Sequence, residues 1–291
     1  MVLSTVVVSR YALRLTVDNK ITGKTGSMRM DAQQVLADFD AQIRRSTEAS
    51  EQGASVQDLT SVVRWLAPPG QGMSRITWSA LTAATADDAI AAEIEFFSGR
   101  GEAFEWKLYD YDQPADLGER LAKAGLVAED EELMLIAETA AIGAGVELPD
   151  GVRIVPVTDE AGVYDVLKVH RYEDGSERLT WMTDKLLAAL ADPDRQTEMV
   201  VAMAGDEPVS SARIEFVPGT DFAGLWGGST VPAWRGKGIF RALVSYRAGL
   251  AAARGYRYLQ VDASQMSRPI LKRLGFTPVA STTPYIWEPD S

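Results

Sequence analysis

Alternating apolar and polar residues predict strands in several parts of the chain, and apolar residues at helical spacing predict helices between them. In the C-terminal half, two of these strands flank residues 205–208, Gly-Asp-Glu-Pro, which are typical of a hairpin turn. A helix further on ends at Gly255, a residue that commonly terminates helices. The predicted strands of this half are 198–203, 209–216, 223–230 and 256–261, and the predicted helices are 159–170 and 240–254.

The N-terminal half shows a similar order of elements. When the sequence is shifted by 150 residues, Asp112 aligns with Asp262 and Gly125 aligns with Gly275. In both halves an aromatic-rich strand is followed by a short helix, a glycine and another strand, which indicates an internal repeat. In the first half these elements are the strand 106–111, the helix 117–124 and the strand 133–137; in the second they are the strand 256–261, the helix 267–274 and the strand 285–287.

The repeat predicts an α/β (α+β) fold with two lobes, each built on a mixed central sheet flanked by helices. Glycine and proline gather at residues 143–151, which predicts a linker. We therefore call residues 30–142 the first lobe and residues 152–291 the second lobe. Upstream in the first lobe, strands are predicted at 61–66 and 75–81 and a helix at 87–97.

Residues 1–29 form a basic segment on an acidic protein, since five lysines and arginines face only Asp18. The alternation over residues 11–17 is typical of a strand, and the segment lacks the apolar stretch and cleavage site of a secretory signal. Two interpretations remain open: an edge strand of the fold, or a leader that precedes Met28 or Met30.

Composition excludes several classes of site. The chain of 291 residues has no cysteine and one histidine, His170, so neither a thiolate nucleophile nor a multi-histidine metal centre is expected. The formal net charge of −12 argues against a nucleic-acid partner. No apolar run has the length of a membrane helix. We expect a cytoplasmic protein that binds neither metal, membrane nor nucleic acid.

The most informative segment is a glycine-rich loop, Trp-Arg-Gly-Lys-Gly-Ile-Phe at residues 234–240. It follows a predicted strand and leads into a predicted helix. Several backbone N–H groups at such a helix start have no intrahelical partner, and the helix dipole adds positive charge, so the site favours phosphate. Arg235 and Lys237 supply full charges. A nucleotide site of the P-loop or dinucleotide type is disfavoured because the glycine spacing differs.

This loop and its surroundings resemble the GNAT acetyltransferase superfamily over residues 152–288. The family pattern of arginine, two residues, glycine, one residue, then glycine or alanine matches Arg235 and Gly238, whereas Phe240 departs from it. Pro232 before the loop and Gly275 at the expected distance after it strengthen the resemblance. The first lobe has Thr-Ala-Ala-Thr-Ala at residues 82–86 in the corresponding place, so the chain resembles a tandem GNAT protein with a degenerate first lobe.

The resemblance implies an acetyl-CoA-dependent N-acetyltransferase, in which a primary amine of a small molecule or peptide attacks the thioester directly. The implied contacts to pantetheine come from Ser229, Thr230 and Val231. The implied contacts to pyrophosphate come from Arg235, Gly236, Lys237, Gly238, Ile239 and Phe240. A backbone N–H near Thr230 is expected to stabilise the negative charge on the carbonyl oxygen.

The usual proton donor of the family is absent, because Leu271 stands where the family has a tyrosine and Ser264 where it has an asparagine. Tyr285, on the last predicted strand, is the substitute that we expect. Ser264 and Ser267 are the expected replacements for contacts to the cofactor arm.

Glu215 and Asp262 are the carboxylates expected to accept the proton of the amine. Asp262 has an alternative structural role as a cap of the helix near Ser267. The alternative to an enzyme is a catalytically silent acyl-CoA-binding or regulatory module, a hypothesis that Leu271 motivates. The acceptor remains open, as does the oligomeric state, monomer or homodimer.

Overall fold

Twelve strands and seven α-helices make up the part of the chain that the structure describes. The structure is a computed structural model, and it describes residues 30–49, 53–69, 72–143, 145–171 and 176–289, with only the backbone of 176–181. Asp31–Ser291 forms one compact unit. The edge strand or leader predicted at residues 1–29 lies outside the described residues.

The first lobe begins with a helix that runs directly into a π-helix, Asp40–Arg44. The side chain of Asp31 caps the first helix by accepting from the backbone of Gln33 and Gln34. The elements of this lobe are α1 (Ala32–Phe39), β1 (Ser55–Asp58), β2 (Val62–Leu66), β3 (Ser74–Ser79), α2 (Ala86–Arg100), β4 (Phe104–Tyr109), α3 (Leu117–Lys123), β5 (Val127–Ala128) and β6 (Glu132–Glu138).

The second lobe repeats the order of strands and helices seen in the first. Gly125 and Gly275 end the corresponding helices α3 and α7 with similar positive φ angles of 98° and 102°, which supports the predicted repeat. The elements of this lobe are β7 (Val152–Pro156), α4 (Glu160–His170), α5 (Ser176–Ala191), β8 (Thr197–Ala204), β9 (Glu207–Phe216), β10 (Phe222–Thr230), α6 (Ile239–Ala253), β11 (Tyr258–Ala263), α7 (Arg268–Arg273) and β12 (Thr277–Trp287).

The predicted fold class, α/β with mixed sheets flanked by helices, is confirmed, and each helix and strand predicted within the described residues overlaps an observed one. The last strand is longer than predicted, because β12 begins at Thr277. Sequence patterns predicted no element over α1, β1, β7 or α5.

The two lobes share one sheet with the strand order β1-β2-β3-β4-β12-β6-β11-β10-β9-β8-β7, and β5 pairs with β12. The final strand of each lobe is exchanged: β12 of the second lobe pairs with β4 of the first, and β6 of the first pairs with β11 of the second. The sheet therefore continues without a break across the predicted linker. The residue boundaries of the two lobes remain a prediction.

Helices cover both faces of this sheet. Apolar residues of α6 and α7, such as Val244 and Leu271, pack with Leu259 and Ala263 on one face, and α2 and α3 pack against Trp106 on the same face of the first lobe. On the other face α4 and α5 pack against β8. Phe39, at the end of α1, contacts the rings of Tyr109 and Phe222 on that second face. The space that remains on this second face between the lobes is the cavity described below.

Candidate functional site

The parallel strands β10 and β11 separate at the middle of the second lobe. Residues 222–224 pair with 258–260, and no further pair joins the two strands, although β10 continues to Thr230 and β11 to Ala263. The β10 residues beyond Gly224 pair instead with β9. The separation opens a slot between the two strand ends, whose unpaired backbone groups can receive an extended ligand chain.

A β-bulge bends β10 where the slot opens. The pairing with β9 shifts between Trp226 and Ser229, and Gly227 has a φ of 56°, which favours glycine. A Cβ at Gly227 would lie 2.6 Å from Nη1 of Arg213. The buried side chain of Arg247, on α6, donates to the carbonyl oxygens of Arg213 at 2.9 Å and Trp226 at 3.4 Å. These two bonds stabilise the bulge.

The glycine-rich loop lies between β10 and α6, as predicted. Gly236 and Gly238 have φ angles of 77° and 87°, and Gly238 is the residue before the first turn of α6. The first helical bond runs from Ala242 to Gly238. The backbone N–H groups of residues 236–241 donate to no acceptor among the described protein atoms, so together with the helix dipole they form a site for an anion.

The predicted contact residues of the loop have these positions. Nε of Arg235 donates to the carbonyl oxygen of Thr230 at 2.9 Å, and the ammonium of Lys237 lies 4.4 Å from the centre of the Trp234 ring.

The other predicted contact residues are bonded or buried. The backbone N–H of Val231 donates to the carbonyl oxygen of Val209, and the carbonyl oxygen of Val231 accepts from the N–H of Trp234. Ser210 donates its hydroxyl to the carbonyl oxygen of Ser229 at 2.6 Å. Ile239 is buried, and the ring of Phe240 fills the space above Gly228.

The first lobe has the same parting of strands without the anion site. Its parallel strands β3 and β4 pair only over 74–76 and 104–106. The hydroxyl of Thr85 accepts from the backbone of Thr82, and Asp87 and Asp88 occupy the first turn of α2. These carboxylates already offset the helix dipole and repel phosphate. The absence of the cradle from this lobe agrees with its sequence.

A cavity of about 410 Å³ lies on the second face of the sheet and takes residues from both lobes. Arg75, Lys107 and Glu132 come from the first lobe, and Glu215, Trp226 and Asp262 come from the second. Trp226 on β10 and Asp262 on β11 belong to the two strands that separate, so the cavity adjoins the slot. Its volume is that of a small-molecule site.

Asp262 is held by partners from both lobes. Its carboxylate forms an ion pair with Lys107 of β4 and accepts from Nε2 of Gln260 at 2.8 Å. The side chain of Asp262 is 2% exposed. Because Asp262 bonds to Lys107 and Gln260, and Ser267 interacts with Ser264 instead, the structure assigns Asp262 to the cavity wall rather than to a cap of α7.

The carboxylate of Glu215 forms ion pairs with two basic residues. Its Oε1 lies 2.9 Å from Nε of Arg213 and 3.9 Å from the ammonium of Lys185. Burial alone would raise the pKa of Glu215, but Arg213, Lys185 and Arg75 together hold it below its ordinary value. A carboxylate with a lowered pKa is a weak proton acceptor. This environment therefore favours a role in which Glu215 keeps its negative charge rather than accepts a proton.

Glu132, which the sequence analysis did not single out, has the opposite environment. Burial raises its pKa, Asp262 and Glu105 raise it further, and Lys107 opposes the shift. A carboxylate with a raised pKa is a stronger proton acceptor than an ordinary carboxylate. Glu132 belongs to the first lobe, and only the exchange of β6 brings it beside β11; no motif in the sequence marks it.

Comparisons with known proteins agree with this geometry. Residues 163–276, which include α4, the glycine-rich loop and α7, match the model of the acetyltransferase (GNAT) family. Over these residues the second lobe is similar to the GNAT family. The search of curated proteins found no match.

Solved structures resemble the whole described fold. A GCN5-related N-acetyltransferase from Kribbella flavida has 16% identity and a TM-score of 0.64, over 89% of this chain and 96% of that one. A functionally unknown conserved protein from Staphylococcus epidermidis has 15% identity and a TM-score of 0.66, over 82% and 95%. A tandem GNAT protein from the clavulanic acid biosynthesis pathway has 11% identity and a TM-score of 0.57, over 89% and 96%. At these identities the likeness concerns the fold.

Tyr285, the predicted proton donor, lies on the opposite face of the sheet from the cavity. It pairs with Trp106 on β4 and packs in the apolar core of the first lobe. Its hydroxyl lies 2.6 Å from where a Cβ at Gly118 of α3 would stand. Lys107, the neighbour of Trp106, points to the cavity, as expected for alternating residues of a strand. The role of Tyr285 as proton donor remains a prediction.

The two predicted serines lie after β11, at the start of α7. The hydroxyls of Ser264 and Ser267 are 3.3 Å apart, and Ser267 also donates to the carbonyl oxygen of Ser264 at 3.2 Å. Both side chains are exposed. Leu271 is buried in the core under α6, so no hydroxyl stands at the position where the family has its tyrosine.

No helix in the described part of the chain has both the length and the apolar character that a membrane span requires. No group of three histidine, cysteine, aspartate or glutamate side chains in that part has the arrangement of a metal site.

Proposed function

We propose that this protein is an acetyl-CoA-dependent N-acetyltransferase that acetylates a primary amine of a small molecule or peptide. The match of residues 163–276 to the GNAT family model supports acyltransferase activity. The observation that carries the proposal is the parting of β10 and β11 directly before the glycine-rich loop. This arrangement offers a slot for an extended chain and an anion site at one end of it, which together suit acyl-CoA.

The pyrophosphate of acetyl-CoA is proposed to bind the backbone N–H groups of residues 236–241, with charge supplied by Arg235, Lys237 and Arg241. The pantetheine arm follows β10 along Ser229, Thr230 and Val231, and Ser264 and Ser267 border its other side. Val231 uses its N–H in a bond to Val209, and Ser229, two residues before it, faces β9 in the same way. Thr230 is therefore the more suitable backbone contact.

The amine is proposed to enter from the cavity and to attack the thioester carbonyl between Trp226 and Asp262. Glu132 takes one proton from the ammonium, which leaves a neutral nucleophile, while Asp262 and Glu215 contribute negative charge. A backbone N–H near Thr230 stabilises the carbonyl oxygen as it becomes negative. The C–N bond forms, the C–S bond breaks, and the thiolate takes the proton that the attacking nitrogen loses, so the products are the amide and coenzyme A.

We further propose that the protein acts in the cytoplasm as a monomer or homodimer, without metal, membrane or nucleic-acid partners. The excess of carboxylates in the composition, 41 against 29 lysines and arginines, supports the last point, because phosphates would be repelled outside the loop.

A calorimetric titration with acetyl-CoA, followed by a thiol-release assay over a panel of amines, tests the proposal. We expect binding and release of coenzyme A. Binding without release over any amine would support the alternative, a silent acyl-CoA-binding module, and no binding would contradict both.

The substitution Gly238→Glu tests the anion site itself. At this positive φ a side chain is strained, its Cβ would lie 3.1 Å from Nη2 of Arg241, and the added carboxylate would repel phosphate. We expect loss of acetyl-CoA binding. Gly249→Glu is the matched control, because Gly249 lies on the same helix, is exposed and has open space around it. Equal affinity in the two variants would contradict the assignment of the loop.

A further inference from the structure

A smaller cavity of about 130 Å³ adjoins the cavity of about 410 Å³ described above. The two cavities share lining residues from both lobes, among them Phe39, Trp226 and Gln260. We call the smaller cavity the side chamber. The residues that line the side chamber and not the larger cavity are all uncharged: Gln196, Thr197, Phe216, Phe222 and Gly224. The side chamber therefore suits an uncharged part of a ligand that occupies the larger cavity.

Aromatic rings form much of the wall of the side chamber. Phe222 and Trp226 contribute from β10, and Phe39 meets Phe222 edge to face, with ring centres 5.5 Å apart. Phe39 is 3% exposed and Phe222 is 1% exposed, so the packing around them fixes both rings. A dry apolar cavity of about 150 Å³ binds benzene. The volume of the side chamber is thus close to that needed by one aromatic ring, which such walls favour through offset and edge-to-face contacts.

Gly224 gives Trp226 its position at the border of the two cavities. It lies between Phe222 and Trp226 among the residues of β10 that face the cavities. A Cβ at Gly224 would lie 2.5 Å from Nε1 and 3.2 Å from Cδ1 of Trp226. Gly224 does not have a positive φ, so the need for glycine here comes from this close approach rather than from the backbone. Any side chain at Gly224 would displace the indole.

The side chamber and the slot follow one another along β10. Gly224 is the last residue of β10 that pairs with β11, and Trp226 lies where the two strands separate. Alternate residues of a strand are about 7 Å apart. A ring beside Gly224 and an amine beside Trp226 are therefore at a distance that a chain of two or three carbon atoms spans.

We propose that the acceptor is an arylalkylamine, with its aromatic ring in the side chamber and its primary amine between Trp226 and Asp262. The inference deepens the proposed function, on which it rests for the reaction and for the position of the amine. Phe222 and Gly224 then determine the specificity for the acceptor without contact to the reacting atoms.

Calorimetry with the full chain, in the presence and in the absence of coenzyme A, tests this inference independently of turnover. The probes are benzylamine, 2-phenylethylamine and 3-phenylpropylamine, each compared with its cyclohexyl analogue and with the alkylamine of the same chain length. We expect one of the two longer phenyl amines to bind about tenfold more tightly than its alkylamine, because the ring is removed from water. It should bind about threefold more tightly than its cyclohexyl analogue, because the walls are aromatic.

Substitutions in the side chamber locate the ring. Thr197→Phe fills the chamber from β8, and Thr197 does not line the larger cavity. We expect this variant to bind the preferred phenyl amine about tenfold more weakly and the alkylamine unchanged. Gly224→Ala displaces the indole and should weaken the phenyl amine more than the alkylamine, which keeps the test decisive if Thr197→Phe does not fold. Thr277→Phe is the matched control, because Thr277 is an exposed threonine of β12 outside both cavity linings.

The outcomes separate this inference from the proposed function. The arylalkylamine acceptor is wrong, even where acetyl-CoA binds and simple amines are acetylated, if no phenyl amine binds more tightly than its alkylamine. It is equally wrong if the cyclohexyl analogues bind as tightly, or if both chamber variants bind the phenyl amine as the control does. If the phenyl amines bind as expected and acetyl-CoA does not bind, the proposed reaction fails and the assignment of the side chamber stands.

Discussion

Lys107 on β4 and Asp262 on β11 form an ion pair, although β12 and β6 lie between their strands in the sheet. Both side chains lie on the face of the sheet that carries the cavity, and both line it. One residue of each lobe thus contributes to the same wall of the cavity. The ion pair ties the first lobe to the candidate site in the second.

The substitution Lys107→Met is expected to destabilise the protein. It leaves the carboxylate of Asp262, which is 2% exposed, without its cation. Removing one partner of a buried pair costs about 3–5 kcal/mol, so the free energy of unfolding in urea should fall by this order. The double variant Lys107→Met, Asp262→Leu should recover much of the loss. A double variant as unstable as the single one would show that the pair is not the cause.

The substitution Glu132→Gln is expected to lower turnover about 10²-fold with little change in the affinity for acetyl-CoA, because an amide cannot accept the proton of the amine. Burial raises the pKa of Glu132, so its basic form is lost at a higher pH than that of an ordinary glutamate. As the pH falls, the rate of the unmodified protein should therefore begin to fall early. The pH profile of kcat/KM measures this.

The control for that experiment is Glu119→Gln, which changes an exposed carboxylate of α3. It should leave the rate and its acid limb unchanged. A Glu132→Gln variant that keeps the same acid limb would show that another group accepts the proton, and Asp262→Asn would then be examined in the same assay.

The substitution Arg247→Met is expected to weaken acetyl-CoA binding through the bulge in β10. Arg247 is 2% exposed, and burial together with the charge of Arg213 lowers its pKa to about 9. Its bonds to the carbonyl oxygens of Arg213 and Trp226 hold the strand where the slot opens. Each buried acceptor left without a donor costs about 1–3 kcal/mol, so a roughly tenfold loss of affinity is expected by calorimetry.

Arg247→Lys provides the conservative comparison, since a lysine can restore one of these bonds. Partial recovery of affinity, at a similar thermal stability, would attribute the effect to the bulge. Unchanged affinity in Arg247→Met would mean that the bulge keeps its shape without the guanidinium.

The substitution Tyr285→Phe tests whether this residue is a proton donor or a packed side chain of the first-lobe core. A proton donor would lower turnover strongly, whereas a side chain packed in the first-lobe core would leave turnover nearly unchanged. Because Tyr285 faces α3 on the side of the sheet opposite to the cavity, we expect a rate within about twofold of the original, as for a surface or packing change of less than about 0.5 kcal/mol. A loss of tenfold or more, with acetyl-CoA affinity retained, would establish the tyrosine as the donor.

Local patterns predicted the parts of this protein whose structure depends on neighbours in the chain. The turn at 205–208, the strand endings, the glycines after α3 and α7 and the loop before α6 follow from short-range sequence rules, because φ preferences and helix ends are properties of a few consecutive residues. The same rules distinguished the two loops, since residues 82–86 of the first lobe contain neither glycine nor arginine, whereas residues 234–240 of the second lobe contain both.

The tertiary structure decided which residues meet in the cavity. The sequence by itself determined the fold class, the repeat and the glycine-rich loop that carries the family resemblance. It did not predict that β6 and β12 change places, and it omitted Lys107 and Glu132, which line the cavity. Strand pairing joins residues more than a hundred positions apart, and its partner choice depends on the packing of the whole sheet rather than on any local pattern.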